Sequence, residues 1–431
     1  MKQPAPASQH PPGLAQAVGF WLKLGMISFG GPAGQIAILH TELVERRRWI
    51  AEGPFLHALN FCMLLPGPEA QQLVTYIGWR LHGLAGALTA GGLFVLPGAL
   101  VMAGLSWIAA AHGDWAPVAA VFYGIKPVVI AVIVHAVWRI GRRALTGIVP
   151  AMLAGLAFVG IFVVGLPFPL IVAVAALVGL GAHWLPRNPF ARPGGGEAPG
   201  PALGTTGLLR LTRLGVVFVV LWIVPVGAIV LALGAEPFGD IATFFTKAAF
   251  VTFGGAYAVL PYVAEAAVYH FYWLGPADMA NGLALAESTP GPLILVTQFV
   301  GFFAGWTSGG AALGQTMGGL VAAALTTYVT FLPCFLFILA GAPYVERLYG
   351  NRLAVSALGA ITAAVVGVIA NLGVFLAQIV LFPAGSLDPI ALALGLAAAA
   401  ILFLRPLPVH WLVLAGAVAG LALWSADLAV A

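Results

Sequence analysis

Two stretches of this chain, 224 residues apart, carry the same pair of helix-breaking motifs. Lys23, Ser28, Phe29, Gly30 and Gly31 recur as Lys247, Thr252, Phe253, Gly254 and Gly255, and Pro66-Gly67-Pro68 recurs as Pro290-Gly291-Pro292. The offset is the same for both motifs (247 − 23 and 290 − 66). Because the spacing is duplicated along with the residues, two copies of one folding unit must each place two breaks at matched positions. In an apolar chain this is the pattern of a carrier whose site lies where the two copies meet.

The chain is apolar enough for that reading. Hydrophobic residues make up 61% of it and charged residues 7%, where a soluble domain carries roughly 25% charged residues. Apolar stretches of about 20 residues follow one another, the length a helix needs to cross hydrocarbon. A β-barrel would show short alternating segments instead. Helices satisfy their own backbone groups in lipid, so the fold class is an all-α polytopic membrane protein. The net charge of +4 fits first of all Lys and Arg gathered in cytoplasmic loops, and is only a weak pointer to an anionic substrate. Cys62 and Cys334 stand apart in apolar surroundings, as buried packing residues rather than a disulfide or metal site. No nucleophile–base pair, phosphate loop or cofactor motif is visible. The expectation is therefore no enzyme, no cofactor, no metal and no nucleic-acid partner.

Apolar segments run over about 14–45, 54–82, 83–112, 117–141, 147–165 and 168–186, and again over about 240–270, 277–305, 309–342, 353–380, 388–404 and 408–426. Residues 1–13 form a Pro-rich tail without a signal-peptide cleavage site, so the first apolar segment is expected to stay. The first repeat covers 14–186 and the second 240–428. Between them lie a Gly/Pro-rich linker at 187–208, containing Gly194-Gly195-Gly196, and an unpaired segment at 209–234. The linker reads as flexible.

The unpaired segment makes the count before the second repeat odd, so that repeat enters the membrane from the opposite side. Charge agrees. Arg139, Arg142 and Arg143 follow the fourth segment, and Arg187, Arg192, Arg210 and Arg213 flank the linker, whereas in the second half Arg347, Arg352 and Arg405 mark the other set of loops. The positive-inside rule then puts the N-terminus and linker in the cytoplasm and the C-terminus across a plasma (inner) membrane. The halves are two inverted-topology repeats. Arg46, Arg47 and Arg48 lie inside only if the first two segments are re-entrant hairpins folded at their breaks, giving about 9 crossings. If both segments span as single helices, which at about 30 residues reach ~45 Å, there are about 13 crossings and the cluster lies outside.

The breaks are candidate anion sites. Proline removes a donor and glycine removes stiffening side chains, and a helix that restarts inside the bilayer presents free N–H groups and the positive end of its dipole. Gly30, Gly31, Gly67, Gly254, Gly255 and Gly291, with Pro66, Pro68, Pro290 and Pro292, would form four such ends. Ordinary packing and kinking is the alternative for any one of them. Lys23 and Lys247 supply charge near the breaks or snorkel to the interface. Ser28 and Thr252 donate to an anion or bond back to their own helix. Gln71, Gln72, Thr75, Thr297 and Gln298 follow the Pro-Gly-Pro breaks as candidate donors. Lys126, in Gly124-Ile125-Lys126-Pro127, is a third cation. Glu69 and Glu287 flank the Pro-Gly-Pro motifs and are placed to carry a coupling proton. Glu42, with His40 and Glu45 beside Arg46, Arg47 and Arg48, forms a gate-proximal face or a solvated interfacial helix.

At these residues the chain resembles the chromate ion transporter family. The matching elements are Ser28-Phe29-Gly30-Gly31-Pro32, Glu42-Leu43-Val44-Glu45-Arg46-Arg47-Arg48-Trp49, Leu65-Pro66-Gly67-Pro68, Tyr76-Ile77-Gly78 and Gly124-Ile125-Lys126-Pro127. In the second half they are Thr252-Phe253-Gly254-Gly255, Leu260-Pro261 and Pro290-Gly291-Pro292. Both halves match, as in the long two-domain form. The second half has Tyr269-His270-Phe271-Tyr272-Trp273 where the first has its arginine cluster. The resemblance implies an antiporter that exports chromate at the expense of the proton gradient and confers chromate resistance, with sulfate as competitor. Import or exchange of sulfate or another tetrahedral oxyanion, and a passive anion channel, are the alternatives. The oligomeric state stays open between monomer and homodimer.

Overall fold

A computed structural model describes residues 12–185, 187–190, 205–309, 313–344, 352–405 and 407–427. The helices of the first half are α1 Leu14–Ile27, α2 Gly31–His40, α3 Glu52–Cys62, α4 Glu69–His112, α5 Ala116–Ala144, α6 Ile148–Phe162 and α7 Phe168–Ala182. Next comes α8, Thr205–Leu233. The second half contains α9 Phe238–Val251, α10 Ala256–Glu265, α11 Pro276–Ser288, α12 Val296–Ser308, α13 Gln315–Gly341, α14 Arg352–Leu381, α15 Pro389–Leu404 and α16 Val409–Ser425. Five of them, α4, α5, α8, α13 and α14, are long and apolar enough to cross a membrane. Large apolar side chains such as Leu156, Leu177, Leu231 and Leu404 stand exposed, as expected of surfaces that meet lipid rather than water.

The first two apolar segments turn back on themselves. α1 stops at Ser28, and Gly30, at φ 90°, starts α2 with Pro32 in its first turn. A helix continuing straight would carry Arg47 roughly 25 Å past the break. Instead the Arg47 guanidinium lies 4.3 Å from the centre of the Phe20 ring, within α1. In α4, His82 (φ −140°, ψ 23°) and Gly83 (φ 61°, ψ −144°) interrupt the helical run. A Cβ on Gly78 would run into the Gly86 carbonyl, and one on Gly91 into Thr75 Oγ1. The arms before and after His82-Gly83 are therefore antiparallel and touching, and only glycine allows that approach. The turn at 82–83 matches the sequence boundary between the second and third segments. His82 Nε2 sits 2.7 Å from the Pro12 carbonyl oxygen, at the entry to α1, so the arm returns to the level where the chain began. The chain thus folds back on itself within 14–45 and within 54–82, rather than running as one straight helix through either.

Contacts between the halves come in reciprocal pairs, as a two-fold relation requires. Gly67 N–H donates to the Thr252 carbonyl at 2.8 Å, and Gly291 N–H donates to the Ser28 carbonyl at 2.9 Å. Both residues of the first bond, moved between halves by 224, become those of the second. The crossing helices are exchanged in the same way: α5 packs on α15 and α16, and α14 packs on α6 and α7. Gly67 has φ 127°, and a Cβ there would lie 2.7 Å from Gln72 Nε2 and 3.0 Å from Cys334 Sγ. Gly67→Ala is expected to lower stability by about 1–3 kcal/mol, the range for a strained backbone position, read as a lower midpoint of thermal aggregation in detergent.

The arginine cluster and its aromatic counterpart share one backbone. Each begins within a π-helical turn, Thr41–Arg46 or Ala266–His270. Arg47 N–H donates to Glu42 O and Trp49 N–H to Leu43 O, as Phe271 N–H does to Ala266 O and Trp273 N–H to Ala267 O. Arg48 and Tyr272 both have φ 55°. Where Arg47 lies over Phe20 and Trp49, Phe271 meets Phe244 edge-to-face and stacks on Trp273. A guanidinium and an aromatic ring are thus interchangeable in this slot, because both present a flat face to a π-system. Arg47→Ala is expected to lose about 1 kcal/mol of stacking, and Arg47→Phe to recover most of the thermal midpoint.

The linker departs from the sequence expectation at both ends. Asn188 Nδ2 donates to Ser356 Oγ at 2.9 Å, and Phe190 is buried against α14. Residues 205–208 already belong to α8. Gly194-Gly195-Gly196, Arg192 and Arg347 lie outside the described residues.

Candidate functional site

The four breaks meet. Gly67 is bonded to Thr252, and Gly291 to Ser28. Gln35, one turn into α2, donates from Nε2 to the Gly291 carbonyl. A Cβ on Gly31 would lie 3.4 Å from the Tyr257 hydroxyl, and one on Gly255 2.9 Å from Glu69 Oε1. Tyr257 in turn donates to Glu287 Oε1 at 2.7 Å.

Beside this junction is a cavity of about 330 Å³. Since each water occupies ~30 Å³ in the liquid, it has room for a small hydrated ion. Three half-helices turn their N-terminal ends to it: α2 through Pro32 and Ala33, α4 through Glu69, and α10 through Tyr257 with Gly254 and Gly255 before it. None of the three has a side-chain N-cap, which leaves first-turn N–H groups and dipole ends for an anion. Arg139 and Arg143 enter from the last turns of α5, and Thr362 and Gly359 from α14. The two arginines are spaced i, i+4 and share one helix face, while Arg142 turns away and lies 4.9 Å over Trp138. Glu69 Oε2 is enclosed without a hydrogen-bond partner, as is Glu287 Oε2. The site therefore combines two guanidinium groups, three helix N-termini and one carboxylate in a partly enclosed space. That set attracts an anion and can exchange a proton with it. Among the described residues no cluster of metal-ligating side chains occurs.

Several residues expected at the site are elsewhere. Lys23 and Lys247 are exposed, on the sides of α1 and α9 opposite their buried faces Phe20-Trp21-Leu24 and Phe244-Phe245-Ala248. The breaks do not bring them in. Ser28 Oγ and Thr252 Oγ1 each bond back to the carbonyl four residues earlier, Leu24 and Ala248, at 2.6 Å. The glutamines brace the turns. Gln72 donates to the Pro66 carbonyl, Gln71 to Thr75, and Gln298 to the Ala99 carbonyl while accepting from Thr327. Thr75 and Thr297 also bond within their own turns. Pro66, Pro68, Pro290 and Pro292 shape the breaks. Lys126 does not line this cavity and lies in the electrostatic field of Asp278 of α11.

The Glu42 cluster is an ion-pair network outside the cavity. Glu42 is bound by Arg46 at 2.6 Å and by Arg47 at 3.6 Å, and His40 bridges Glu45 and Glu52. The cavity residues missing from the sequence reading are Arg139, Arg143, Tyr257, Asn60 and Thr362. The i, i+4 spacing of the two arginines was the available signal, but it read as a topology marker. Tyr257 stands two residues past the Gly254-Gly255 break, where a first-turn side chain faces whatever the helix N-terminus faces.

A family model described as a chromate transporter matches residues 15–180 and 239–421. The chain is 32% identical over 365 residues to a chromate transport protein of Pseudomonas aeruginosa, covering 83% of this chain and 80% of that one. It is 28% identical over 372 residues to a chromate transport protein of Cupriavidus metallidurans, covering 85% and 83%. To a probable chromate transport protein of Synechococcus elongatus it is 29% identical over 367 residues, covering 82% and 84%. No solved structure matches.

Proposed function

Because this chain belongs to the chromate transporter family, we propose that it exports chromate from the cytoplasm across the inner membrane, driven by the proton gradient, and so confers chromate resistance. Members of this family are transporters, not enzymes. The observation that carries the reading is the cavity in which Arg139, Arg143 and three helix N-termini face one carboxylate, Glu69. Such a set suits a tetrahedral dianion, for which sulfate is the natural competitor, and it supplies a proton-carrying group at the same place. Lys23 and Lys247 have no part in binding, and Lys126 acts elsewhere.

Folded-back hairpins support an inverted topology of nine crossings: the second arm of α4, then α5 to α8, then α13 to α16. With the N-terminus in the cytoplasm, Arg46–Arg48, Arg80, Arg139, Arg142, Arg143, Arg187, Arg210, Arg213, Arg352 and Arg405 all fall on the cytoplasmic side, as the positive-inside rule asks. The cavity, bordered by Arg143 at the end of α5, then opens toward the cytoplasm.

Inside-out vesicles containing the protein test this directly. Chromate should accumulate in the lumen only when the lumen is made acidic, so that protons leave as chromate enters, and a protonophore should abolish it. Accumulation indifferent to the protonophore and proportional to the chromate gradient would identify a passive channel. Sulfate uptake unaffected by chromate would exclude a shared oxyanion site.

A further inference from the structure

The internal two-fold relation has an unequal outcome in this structure. Its register in the crossing helices comes from paired close contacts. A Cβ on Gly420 would meet the Ala120 carbonyl and the Gly124 nitrogen, and one on Gly179 would meet the Ser356 carbonyl and Ala360. These are the α5–α16 and α7–α14 packings, so Ala120 and Gly124 correspond to Ser356 and Ala360, an offset of 236 (356 − 120 and 360 − 124). The same offset makes Lys126 the image of Thr362, which lines the cavity. By the offset of 224, Glu287 is the image of Met63 and Tyr257 the image of Ala33, both of which also line it. The image of the cavity would therefore hold Lys126, Glu287 and Tyr257.

That image space is closed. α11 packs against α5 and against α16, whereas its counterpart α3 rests mainly on α4. Tyr257 is hydrogen-bonded to Glu287 across it. At the α5–α11 contact, Lys126 lies in the field of Asp278. Asn281, one turn further along α11, is 9% exposed, and its Oδ1 is buried without a partner. A half-buried lysine on α5 and a buried amide oxygen without a partner on α11 are costly inside a packed helix interface. The cost is understandable if the interface is made to separate.

We propose that the image space is a second oxyanion half-site, opening to the far side of the membrane when α11 parts from α5, with Lys126 as its cation and Asp278 as the latch that holds it shut. In the closed state Asp278 neutralises Lys126. When the helices part, the ammonium is free to receive the dianion from the junction of the four breaks before release. This rests on the transport reading above and adds the path by which the anion leaves.

Two measurements test it. In protein with Cys62 and Cys334 replaced by alanine, Asn281→Cys is treated with a membrane-impermeant maleimide from the outer face. Labelling should be slow with Asp278 present and about tenfold faster with Asp278→Asn, the scale of one charge-assisted hydrogen bond. Equal rates would overturn the latch. In inside-out vesicles, Lys126→Gln should lower chromate uptake about tenfold or more, with Lys126→Arg restoring most of it at equal protein in the membrane. Normal uptake in Lys126→Gln, or equal loss in both variants, would overturn the half-site. The labelling needs no substrate, so a failure of chromate transport in the unaltered chain would strike the proposed function and leave the latch to be judged separately.

Discussion

Arg139→Gln is expected to lower chromate uptake by inside-out vesicles about 10- to 100-fold, the loss of one charge-assisted hydrogen bond at about 1.5–3 kcal/mol. Arg139 enters the cavity from the same face of α5 as Arg143, and it also lies in the field of the Tyr257–Glu287 pair. Its guanidinium offers a planar fork to an oxyanion, so Arg139→Lys should fall between native and glutamine. Arg142→Gln is the control. Arg142 is exposed and lies over Trp138, away from the cavity, and its loss should change uptake by no more than about twofold, as for a surface charge. Normal uptake in Arg139→Gln, with loss in Arg142→Gln, would show that the cavity is not the binding site.

Glu69→Gln is expected to separate exchange from accumulation. Glu69 is the carboxylate that lines the cavity, at the first residue of α4 and against Gly255. The amide keeps the shape and the helix N-terminal position but neither takes up nor releases a proton. Uphill accumulation driven by a pH gradient should disappear, while exchange of external for internal radiolabelled chromate persists. Retained uphill accumulation would place the coupling group elsewhere, and Glu287 would be next, since its Oε2 is also buried and unmatched. Loss of exchange along with accumulation would instead make Glu69 part of the binding surface.

Much of the architecture was legible because it depends on local chemistry. Pro-Gly-Pro and Gly-Gly-Pro break helices wherever they stand. Arg46–Arg48 could be kept on the basic side only by folding 14–45 and 54–82 back on themselves, and Arg47 over Phe20 is that fold. The two exposed lysines are the opposite case. Lys23 and Lys247 repeat with the breaks and lie close to them along the chain, yet they point out, while Arg139, distant in sequence, points in. Lys23→Ala is accordingly expected to leave uptake near native.

The residues alone pointed to an all-α membrane fold, to four breaks repeated at one offset, and to an unpaired connecting segment between the two halves. Helical periodicity also determined which side chains share a face, such as Arg139 with Arg143. Only the tertiary structure decided which face of each helix meets the cavity, because that depends on partners more than a hundred residues away, such as α14 beside α5. It also decided that the breaks of one half are completed by carbonyl groups of the other, Gly67 by Thr252 and Gly291 by Ser28. A buried N–H needs a partner, and the structure places each of these partners in the other half of the chain.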